Sequence, residues 1–312
     1  MASEKGKKVP AKRKFKMKAN EIPLHLMLIP GILFTFIFHY IPLGGLIIAF
    51  QRFIPAKGLF GPQRWVGLDN FEYIFSMPNT MNVLTNTVTI AFGKIVLNLL
   101  VPITVALMLN ELQSRKIKRS IQTIIYFPHF LSWIIFGSIL IDMMSPSSGI
   151  INRMLKAMGL NPIYFLGDNQ YFQQTIIWTD VWKSFGYGTV VYMATITGID
   201  PTLYEAASID GANRWQQTWH VTLPGMRMII VLMMVLALGN VLNAGFDQVY
   251  NMYSPIVYET GDIIDTMVYR LGLENAKYGP AAAVSIFKSV VSLFFISTSY
   301  FVAIKFFDYH LF

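Results

Sequence analysis

Charged and amide side chains interrupt segments of this sequence that are otherwise apolar. Asp180 and Lys183 stand three residues apart, which places them on one helix face, where they could neutralise each other. Asn240, Asn243 and Asp247 recur at intervals of three and four, which predicts one polar stripe along a helix. Such groups are costly at membrane depth and usually face a cavity or a partner. The pattern is typical of a polar path between helices, or of hydrogen bonds that join helices.

Two more apolar segments carry lysine beside amides or hydroxyls at helical spacing. Lys94 precedes Asn98, and Lys288 lies between Ser285 and Ser292. Both lysines are also long enough to extend their amines to a membrane surface. A path lining and a surface anchor are both compatible with these positions.

Two tryptophans could add an aromatic stacking surface to such a polar path. Trp178 and Trp182 are four residues apart, so one helix face carries both rings. A sugar has flat apolar faces and a rim of hydroxyls, which suits aromatic rings combined with a few polar groups. The candidate path residues are Trp178, Trp182, Lys183, Asn240, Asn243, Asp247 and Lys288.

The residue types that would catalyse a reaction are missing or scattered. There is no cysteine, and the five histidines lie far apart in the sequence. The sequence contains no Gly-x-x-x-x-Gly-Lys phosphate loop, no His-Glu-x-x-His and no Gly-x-Ser-x-Gly. We therefore expect no catalytic residue, no metal site and no cofactor in this chain.

Composition indicates a membrane protein. Of the 312 residues, 54% are hydrophobic and 13% are charged, whereas soluble domains carry about 25% charged residues. Eight of the 25 Lys and Arg lie in the first 18 residues, which predicts a basic cytoplasmic tail over residues 1–20. Basic clusters beside apolar spans follow the positive-inside rule. They argue against nucleic-acid binding despite the net charge of +8.

Six segments are long and apolar enough to cross a bilayer, which needs about 20 residues. The predicted fold is therefore an all-α polytopic membrane protein with six transmembrane helices. We expect a kink or an early end near Pro42 in the first span and the weakest apolar signal in the fourth. The six spans are Leu24–Phe50, Met81–Leu109, Ser120–Met143, Thr175–Ile199, Met226–Tyr250 and Ala281–Ile304.

The basic tail and the basic segment at 110–119 orient the chain with both termini inside. This orientation places the loop 200–225, between the fourth and fifth spans, in the cytoplasm. Asp200 before a proline predicts a helix start, and the helix runs from Pro201 to about Ile209. Gly211 suits a left-handed C-terminal cap. A second helix is predicted over 213–220, closed by Pro224.

The same loop has the features of a docking surface. Ala206 and Ala207 allow close approach, and Glu205 offers a charge near the helix start. Leu203, Tyr204 and Trp215 are apolar anchors of the kind that contributes strongly to interface energy. The alternative is an amphipathic helix on the membrane surface, although the loop is poor in Lys and Arg. The predicted coupling residues are Leu203, Tyr204, Glu205, Ala206, Ala207, Asp210, Gly211, Trp215, Leu223 and Pro224.

The loop resembles the "EAA" loop of binding-protein-dependent ABC importers, through which a permease docks on its ATPase. The pattern is Glu-Ala-Ala, a glycine four residues after the second alanine, and a closing Ile-x-Leu-Pro. Val221 stands in place of the isoleucine, and Thr218 stands where many sugar permeases have phenylalanine. The positions that match are Glu205, Ala206, Ala207, Gly211, Leu223 and Pro224.

Other segments resemble one branch of that family. It is the polysaccharide and complex-oligosaccharide group of carbohydrate-uptake type 1 permeases, the LplB-type permeases, similar in plan to the maltose permease subunits. The matching segments are Tyr40–Gly45, Trp65–Phe71, Tyr126–Trp133, Gly245–Gln248 and Asp262–Arg270.

The resemblance implies a permease domain over residues 21–312 in a bacterial cytoplasmic membrane. It also implies a second homologous permease, a cytoplasmic ATPase dimer that binds ATP and magnesium, and an extracytoplasmic solute-binding protein. The implied activity is oligosaccharide import by alternating access, with an acidic sugar as one option. Two other functions stay open: a proton-coupled secondary transporter that uses Asp180 or Asp247, and a polytopic membrane enzyme, for which we find no catalytic set.

Overall fold

The structure is a computed structural model that describes residues 22–307. The predicted basic tail over residues 1–20 lies outside the described residues, as do residues 308–312. The chain divides into two units, of which the first ends at Ile47 and the second begins at Ile48.

The described part of the first unit is helical. Helix α1 covers Ile22–Thr35, a π-helical turn follows at Phe36–Tyr40, and a 3₁₀ segment covers Ile41–Phe50 and so ends in the second unit. Every residue from 23 to 44 is exposed, which fits a helix solvated by lipid. The helix continues past Pro42 and changes its geometry at Ile41, because proline provides no N–H for a regular turn.

The second unit begins with a two-stranded antiparallel ribbon, in which β1 (Gln51–Arg52) pairs with β2 (Arg64–Trp65). The remaining described elements are helical. Short 3₁₀ or π-helical segments lie at Pro55–Lys57, Phe127–Phe130, Thr218–Thr222, Pro255–Val257 and Arg270–Glu274. The α-helices are α2 (Asp69–Ser76), α3 (Thr80–Glu111), α4 (Arg115–Tyr126), α5 (Trp133–Met144), α6 (Ile150–Ala157), α7 (Asn169–Thr197), α8 (Pro201–Ile209), α9 (Arg214–Gln217), α10 (Leu223–Leu238), α11 (Phe246–Met252), α12 (Tyr258–Gly261), α13 (Ile264–Tyr269) and α14 (Tyr278–Phe307).

Four helices within residues 22–307 are long and apolar enough to cross a membrane, and they are Pro23–Phe50, Thr80–Glu111, Arg214–Leu238 and Tyr278–Val302. A fifth candidate arises if 115–130 and 133–144 form one span. The predicted first, second and sixth spans coincide with such helices. The predicted fourth span lies on α7, whose polar residues keep it outside this group.

The predicted third span is sharply bent. The segments before and after residues 131–132 are bent by 103°. Pro128 provides no backbone N–H, and Leu131 adopts an extended conformation. Ser132 then starts α5, because its hydroxyl accepts a hydrogen bond from the Ile135 N–H at 3.3 Å.

The fifth span also differs from the prediction. A continuous helical run begins at Arg214 and ends at Leu238. Residues 239–242 form turns, residues 243–245 have no regular secondary structure, and Gly245 adopts φ +92° before α11 begins. Asn240 and Asn243 therefore lie in a non-helical segment and Asp247 lies in a separate helix, so the predicted single stripe is wrong.

The long helices α3 and α7 pack against each other more extensively than any other pair of elements in the described chain. Helix α4 approaches α7 so closely at Gly186 that no side chain would fit there. A Cβ atom added to Gly186 would lie 2.0 Å from the Ile125 carbonyl oxygen. A buried apolar cluster fills the space between α3, α5, α7 and α11, and it includes Ile90, Phe136, Phe172, Ile176 and Val249. This packing positions the polar side chains of α3 and α7 beside the break that follows α10.

Candidate functional site

Helix α8 begins as its sequence predicts. The Asp200 carboxylate accepts a hydrogen bond from the backbone N–H of Thr202 at 2.9 Å. The bonds from Thr202 lower the pKa of the Asp200 carboxyl, since they favour its charged form. Pro201 occupies the first turn, where a missing N–H costs nothing.

Helix α8 ends in a Schellman motif. Gly211 adopts φ +79°, and its N–H donates to the Ser208 carbonyl at 3.1 Å. The next N–H, that of Ala212, donates to the Ala207 carbonyl at 2.9 Å. Both bonds depend on the left-handed residue, so the predicted role of Gly211 as a cap is consistent with the geometry.

Helix α9 begins with a reciprocal cap. The Asn213 side chain accepts from the Gln216 N–H at 2.9 Å, and the Gln216 side chain accepts from the Asn213 N–H at 2.8 Å. The helix does not end at His220, and Pro224 does not close the unit as predicted. A π-helical turn at Thr218–Thr222 widens the helix before Pro224, so the chain continues directly into α10.

Two contacts join α8 to the start of the following helical run. The Gln217 side chain is buried and donates to the Ser208 hydroxyl at 2.9 Å. The Tyr204 hydroxyl lies 3.0 Å from the Thr222 hydroxyl. The sequence analysis missed Gln217 and Thr222, because nothing local distinguishes them from other polar residues.

Most of the predicted coupling residues are exposed. Large apolar side chains are among them, and Ile209, which the sequence analysis did not single out, is 87% exposed. Arg214 lies 4.0 Å from Glu111 at the end of α3. The predicted coupling residues together with Ile209 are called the coupling surface below. Its exposed residues are Leu203, Glu205, Ala206, Ile209, Asp210, Gly211, Trp215 and Pro224, while Tyr204, Ala207 and Leu223 are half-buried.

A second group of candidates surrounds an open cavity of about 380 Å³ between α3, α7 and the break after α10. The amine of Lys94 lies 3.3 Å from the Asp180 carboxylate. The Asn98 amide donates to the same carboxylate at 2.9 Å. Asn240 and Asn243 line this cavity as well, so three elements contribute polar groups to one space.

Lys94 does not extend to a membrane surface. It is buried, and its amine donates to the Ala244 carbonyl at 2.7 Å and to the Gln248 side chain at 2.5 Å. Gln248 in turn donates to the Ile176 carbonyl at 2.8 Å and to the Thr179 hydroxyl at 2.9 Å. Lys94 and Gln248 therefore hold the break after α10 against α3 and α7.

The predicted mutual neutralisation of Asp180 and Lys183 is wrong. Asp180 pairs with Lys94 on α3 instead. The Lys183 amine donates to the His129 carbonyl at 3.0 Å and lies 5.3 Å from the Trp133 ring centroid. Lys183 is 8% exposed and forms no ion pair within residues 22–307.

Three other candidates lie away from this cavity. Asp247 is exposed on α11 and is not part of the lining. Trp178 and Trp182 lie two positions before and after Asp180, which is about 200° around α7, so they are on a different face of the helix from Asp180. Both rings are largely exposed, and Trp182 packs on Phe136 of α5 with centroids 5.3 Å apart.

Lys288 also differs from the expectation of a surface anchor or path residue. Its amine lies 2.5 Å from the Asp265 carboxylate of α13. The pair joins α14 to α13 and leaves no excess charge. The structure therefore brings Asn240 and Asn243 together with Lys94, Asn98 and Asp180, and it places Lys288 elsewhere.

Comparison with known proteins identifies the family. Residues 98–306 match the model described as "Binding-protein-dependent transport system inner membrane component". The chain belongs to this family. The permease is thus a membrane component of the ABC importer type, as the loop at 200–225 indicated.

Relatives and solved structures agree with this assignment. The permease is 39% identical to protein LplB of Bacillus subtilis (strain 168), over 91% of this chain and 89% of that protein. It is 37% identical to the polygalacturonan/rhamnogalacturonan transport system permease protein YteP of the same strain, over 91% and 88%. A chain in the crystal structure of a bacterial ABC transporter involved in the import of the acidic polysaccharide alginate superposes with a TM-score of 0.85, 36% identity and coverage of 92% and 96%.

Proposed function

We propose that this chain is the transmembrane permease of an importer that moves acidic oligosaccharides into a bacterial cell by alternating access. The chain binds no nucleotide and catalyses no reaction. ATP and magnesium bind to a separate cytoplasmic ATPase dimer, and a solute-binding protein delivers the sugar from outside. Two similar permeases form the membrane part. The observation that carries this proposal is the exposed, capped α8 in a member of the importer permease family.

The coupling surface is suited to bind another protein. Leu203 and Ile209 are exposed on α8, and Trp215 is exposed on α9. Apolar side chains exposed together on a rigid helix are typical of an interface. Because Tyr204 and Gln217 connect α8 to the helical run that becomes α10, a movement of the docked ATPase is transmitted to a membrane helix.

The charged side chains of α3 and α7 favour an acidic sugar, and one of them, Lys183, lies outside the lining of the cavity. Lys94 and Lys183 contribute two positive charges, and Asp180 contributes one negative charge, so one positive charge is in excess. An uncompensated cation at membrane depth is costly and is typical of a site for an anionic partner. Two similar proteins belong to transporters of the acidic polysaccharides polygalacturonan and alginate. We therefore propose Lys183, Asn240 and Asn243 as path residues, with Trp178 and Trp182 as stacking surfaces on a separate face of α7.

The proposed topology has six crossings with both termini inside, and it places residues 21–312 in one permease domain. The bent pair α4–α5 is the third crossing. The fourth is α7, whose 29 residues would extend about 44 Å. Asp180 and Lys183 lower its hydropathy, but they contact α3 and the segment before α5 rather than lipid. This contact supports α7 as a crossing.

The first test is purification of the tagged chain in mild detergent, with its partners identified by mass spectrometry. The proposal requires a second permease, an ATPase and a solute-binding protein in stoichiometric amounts. The reconstituted complex should take up an oligogalacturonide only with ATP. Uptake driven by a proton gradient in the absence of an ATPase would contradict the proposal and would favour a secondary transporter.

Substrate charge is tested separately through Lys183. Lys183→Met should reduce uptake of the acidic oligosaccharide about 10-fold, since one charge-assisted contact is lost. Uptake of a neutral oligosaccharide, if there is any, should not fall, and Lys183→Arg should retain acidic uptake. Asn243→Leu should impair uptake without preventing assembly. Equal loss of acidic and neutral uptake in Lys183→Met would contradict the proposed role in charge recognition.

A further inference from the structure

Two arginines project from one face of the β1–β2 ribbon. Arg52 and Arg64 are directly opposite each other in the antiparallel register. Gln51, the neighbour of Arg52, is buried on the other face, since successive residues of a strand alternate between faces. Both arginines are exposed, on the face of the ribbon opposite the buried Gln51 side chain. Like charges directly opposite destabilise a strand pair, so the pairing does not serve the stability of the ribbon.

The arginine pair belongs to a cationic groove with one further lysine. Lys277 lines the same open groove, together with Asp69 and Tyr73. The Lys277 amine donates to the Tyr73 hydroxyl at 2.7 Å and lies 5.1 Å from the centre of that ring. Neither arginine nor Lys277 forms an ion pair with any residue in the described range 22–307. Three cations and one carboxylate leave the groove with a positive charge of two.

The backbone under the arginines is held in place. The Asn70 amide donates to the Ala49 carbonyl at 2.8 Å and to the Gln51 carbonyl at 3.1 Å. The Gln63 amide donates to the Ile54 carbonyl at 3.0 Å and accepts from the Ile54 N–H at 3.0 Å. The two guanidinium groups are therefore presented from a braced ribbon, and a partner that pairs with them has less ordering entropy to lose.

The chemistry of the groove suits carboxylates on a protein surface. A guanidinium group binds a carboxylate with two parallel hydrogen bonds. Apolar side chains exposed beside the arginines, Ile54, Leu59 and the fully exposed Phe60, add the contact area that a protein interface has. The ribbon is hydrogen-bonded to Asn70 of α2, and α2 is hydrogen-bonded to Thr80 at the start of α3. Glu111, at the other end of α3, lies 4.0 Å from Arg214. The groove and the coupling surface are thus at opposite ends of a helix of about 48 Å.

We propose that Arg52, Arg64 and Lys277 form a docking site for acidic side chains of the extracytoplasmic solute-binding protein. The inference rests on the proposed function, because it needs such a protein outside the membrane. One solved relative has been crystallised in complex with a periplasmic protein bound to alginate pentasaccharide, and that chain covers 91% of this one. The site sets the rate and the salt dependence of docking, since charges at the rim of an interface act mainly on these quantities.

The test uses the assembled complex in nanodiscs and the solute-binding protein that co-purifies with it. The double variant Arg52→Gln/Arg64→Gln should raise the Kd of the solute-binding protein about 10-fold at low salt, because association becomes slower. The dependence of the Kd on salt should become shallower, because fewer charges remain to be screened. The matched control Arg153→Gln/Lys156→Gln removes two exposed cations of α6 that lie outside the groove, and it should retain the Kd. ATP hydrolysis without the binding protein should be equal in all three complexes, which shows intact assembly.

Other outcomes would overturn the inference. A Kd and a salt dependence that are unchanged in the double variant, with normal docking by the unsubstituted complex, would show that the groove is not the docking site. If the unsubstituted complex binds an acidic pentasaccharide in the absence of the solute-binding protein, and the double variant does not, the groove is a sugar site instead. If phosphatidylglycerol nanodiscs raise the Tm of the unsubstituted complex relative to phosphatidylcholine nanodiscs, and the double variant loses this increase, the groove binds lipid instead. If the unsubstituted complex binds no solute-binding protein, the proposed function itself fails.

Discussion

The coupling loop and the polar cavity are built in opposite ways. In the loop, residues that determine the structure are neighbours in sequence, such as Asp200 with Thr202 and Gly211 with Ser208. In the cavity, the Lys94–Asp180 pair joins residues of two helices, and Gln248 reaches back to Thr179. Local hydrogen bonds leave the surface of the loop free for a partner. The cavity uses its polar groups first to hold three chain segments together.

This difference separates effects on stability from effects on function. A substitution on the exposed face of α8 removes contacts that only a partner would make. A substitution in the Lys94–Asp180 pair leaves a buried charge without its counterion, which is costly inside a membrane protein. The following experiments test this separation.

The largest effect is expected for Asp180→Leu. It leaves the buried Lys94 amine without a carboxylate, which costs about 3–5 kcal/mol of folding free energy. We expect a strong loss of monodisperse protein after detergent extraction and a lower Tm. Lys94→Met/Asp180→Leu should recover part of the yield, because both charges are gone. Asp247→Leu, at an exposed carboxylate on α11, is the matched control, and an equal loss in this control would contradict the argument.

The apolar residues on α8 test the coupling surface. Leu203→Ala/Ile209→Ala should weaken binding of the ATPase about 10- to 100-fold, because each truncation at a well-packed interface costs about 1 kcal/mol or more. Yield and Tm of the permease should not change. Leu273→Ala removes a similarly exposed leucine from another region of the chain and should retain ATPase binding. Unchanged binding in the double variant would remove α8 from the interface.

Gly211 tests whether the local cap matters for coupling. Gly211→Val has steric room but forces a β-branched residue into the left-handed region, at a cost of about 1–2 kcal/mol. We expect assembled complexes that hydrolyse ATP with little uptake. Gly211→Asn should retain uptake, because asparagine tolerates this conformation. Full coupling in the valine variant would show that the cap is dispensable.

The smallest effect is a pH dependence of the start of α8. The folded pKa of Asp200 is lowered, so its capping contribution is present above the unfolded value of about 3.9. It is lost as the pH falls through the folded pKa. Amide exchange in the first turn of α8 should therefore accelerate below about pH 4. Asp200→Asn retains a cap that does not titrate, and an identical acceleration in that variant would exclude Asp200 as the cause.

Prediction from the sequence succeeded where the physics is local. The bounds of α8, its caps at Asp200 and Gly211, and the long apolar helices α3 and α14 follow from residue types within a few positions. It failed where distant segments compete for the same group. The partner of Asp180 is on α3 rather than three residues away, and the bend after Pro128 divides a segment that has continuous apolar character.

The sequence by itself determined that the chain is a membrane permease with a capped loop over residues 200–225, because hydrophobic length, caps and loop motifs are local properties. Tertiary structure decided which charges are compensated. Lys94, Lys183 and Lys288 look alike as single lysines in apolar segments, yet two of them have carboxylate partners and Lys183 has none within the described residues. Only the packing of helices from distant parts of the chain sets the distances between these lysines and the carboxylates. At low dielectric, that distance decides how strongly each lysine charge is stabilised.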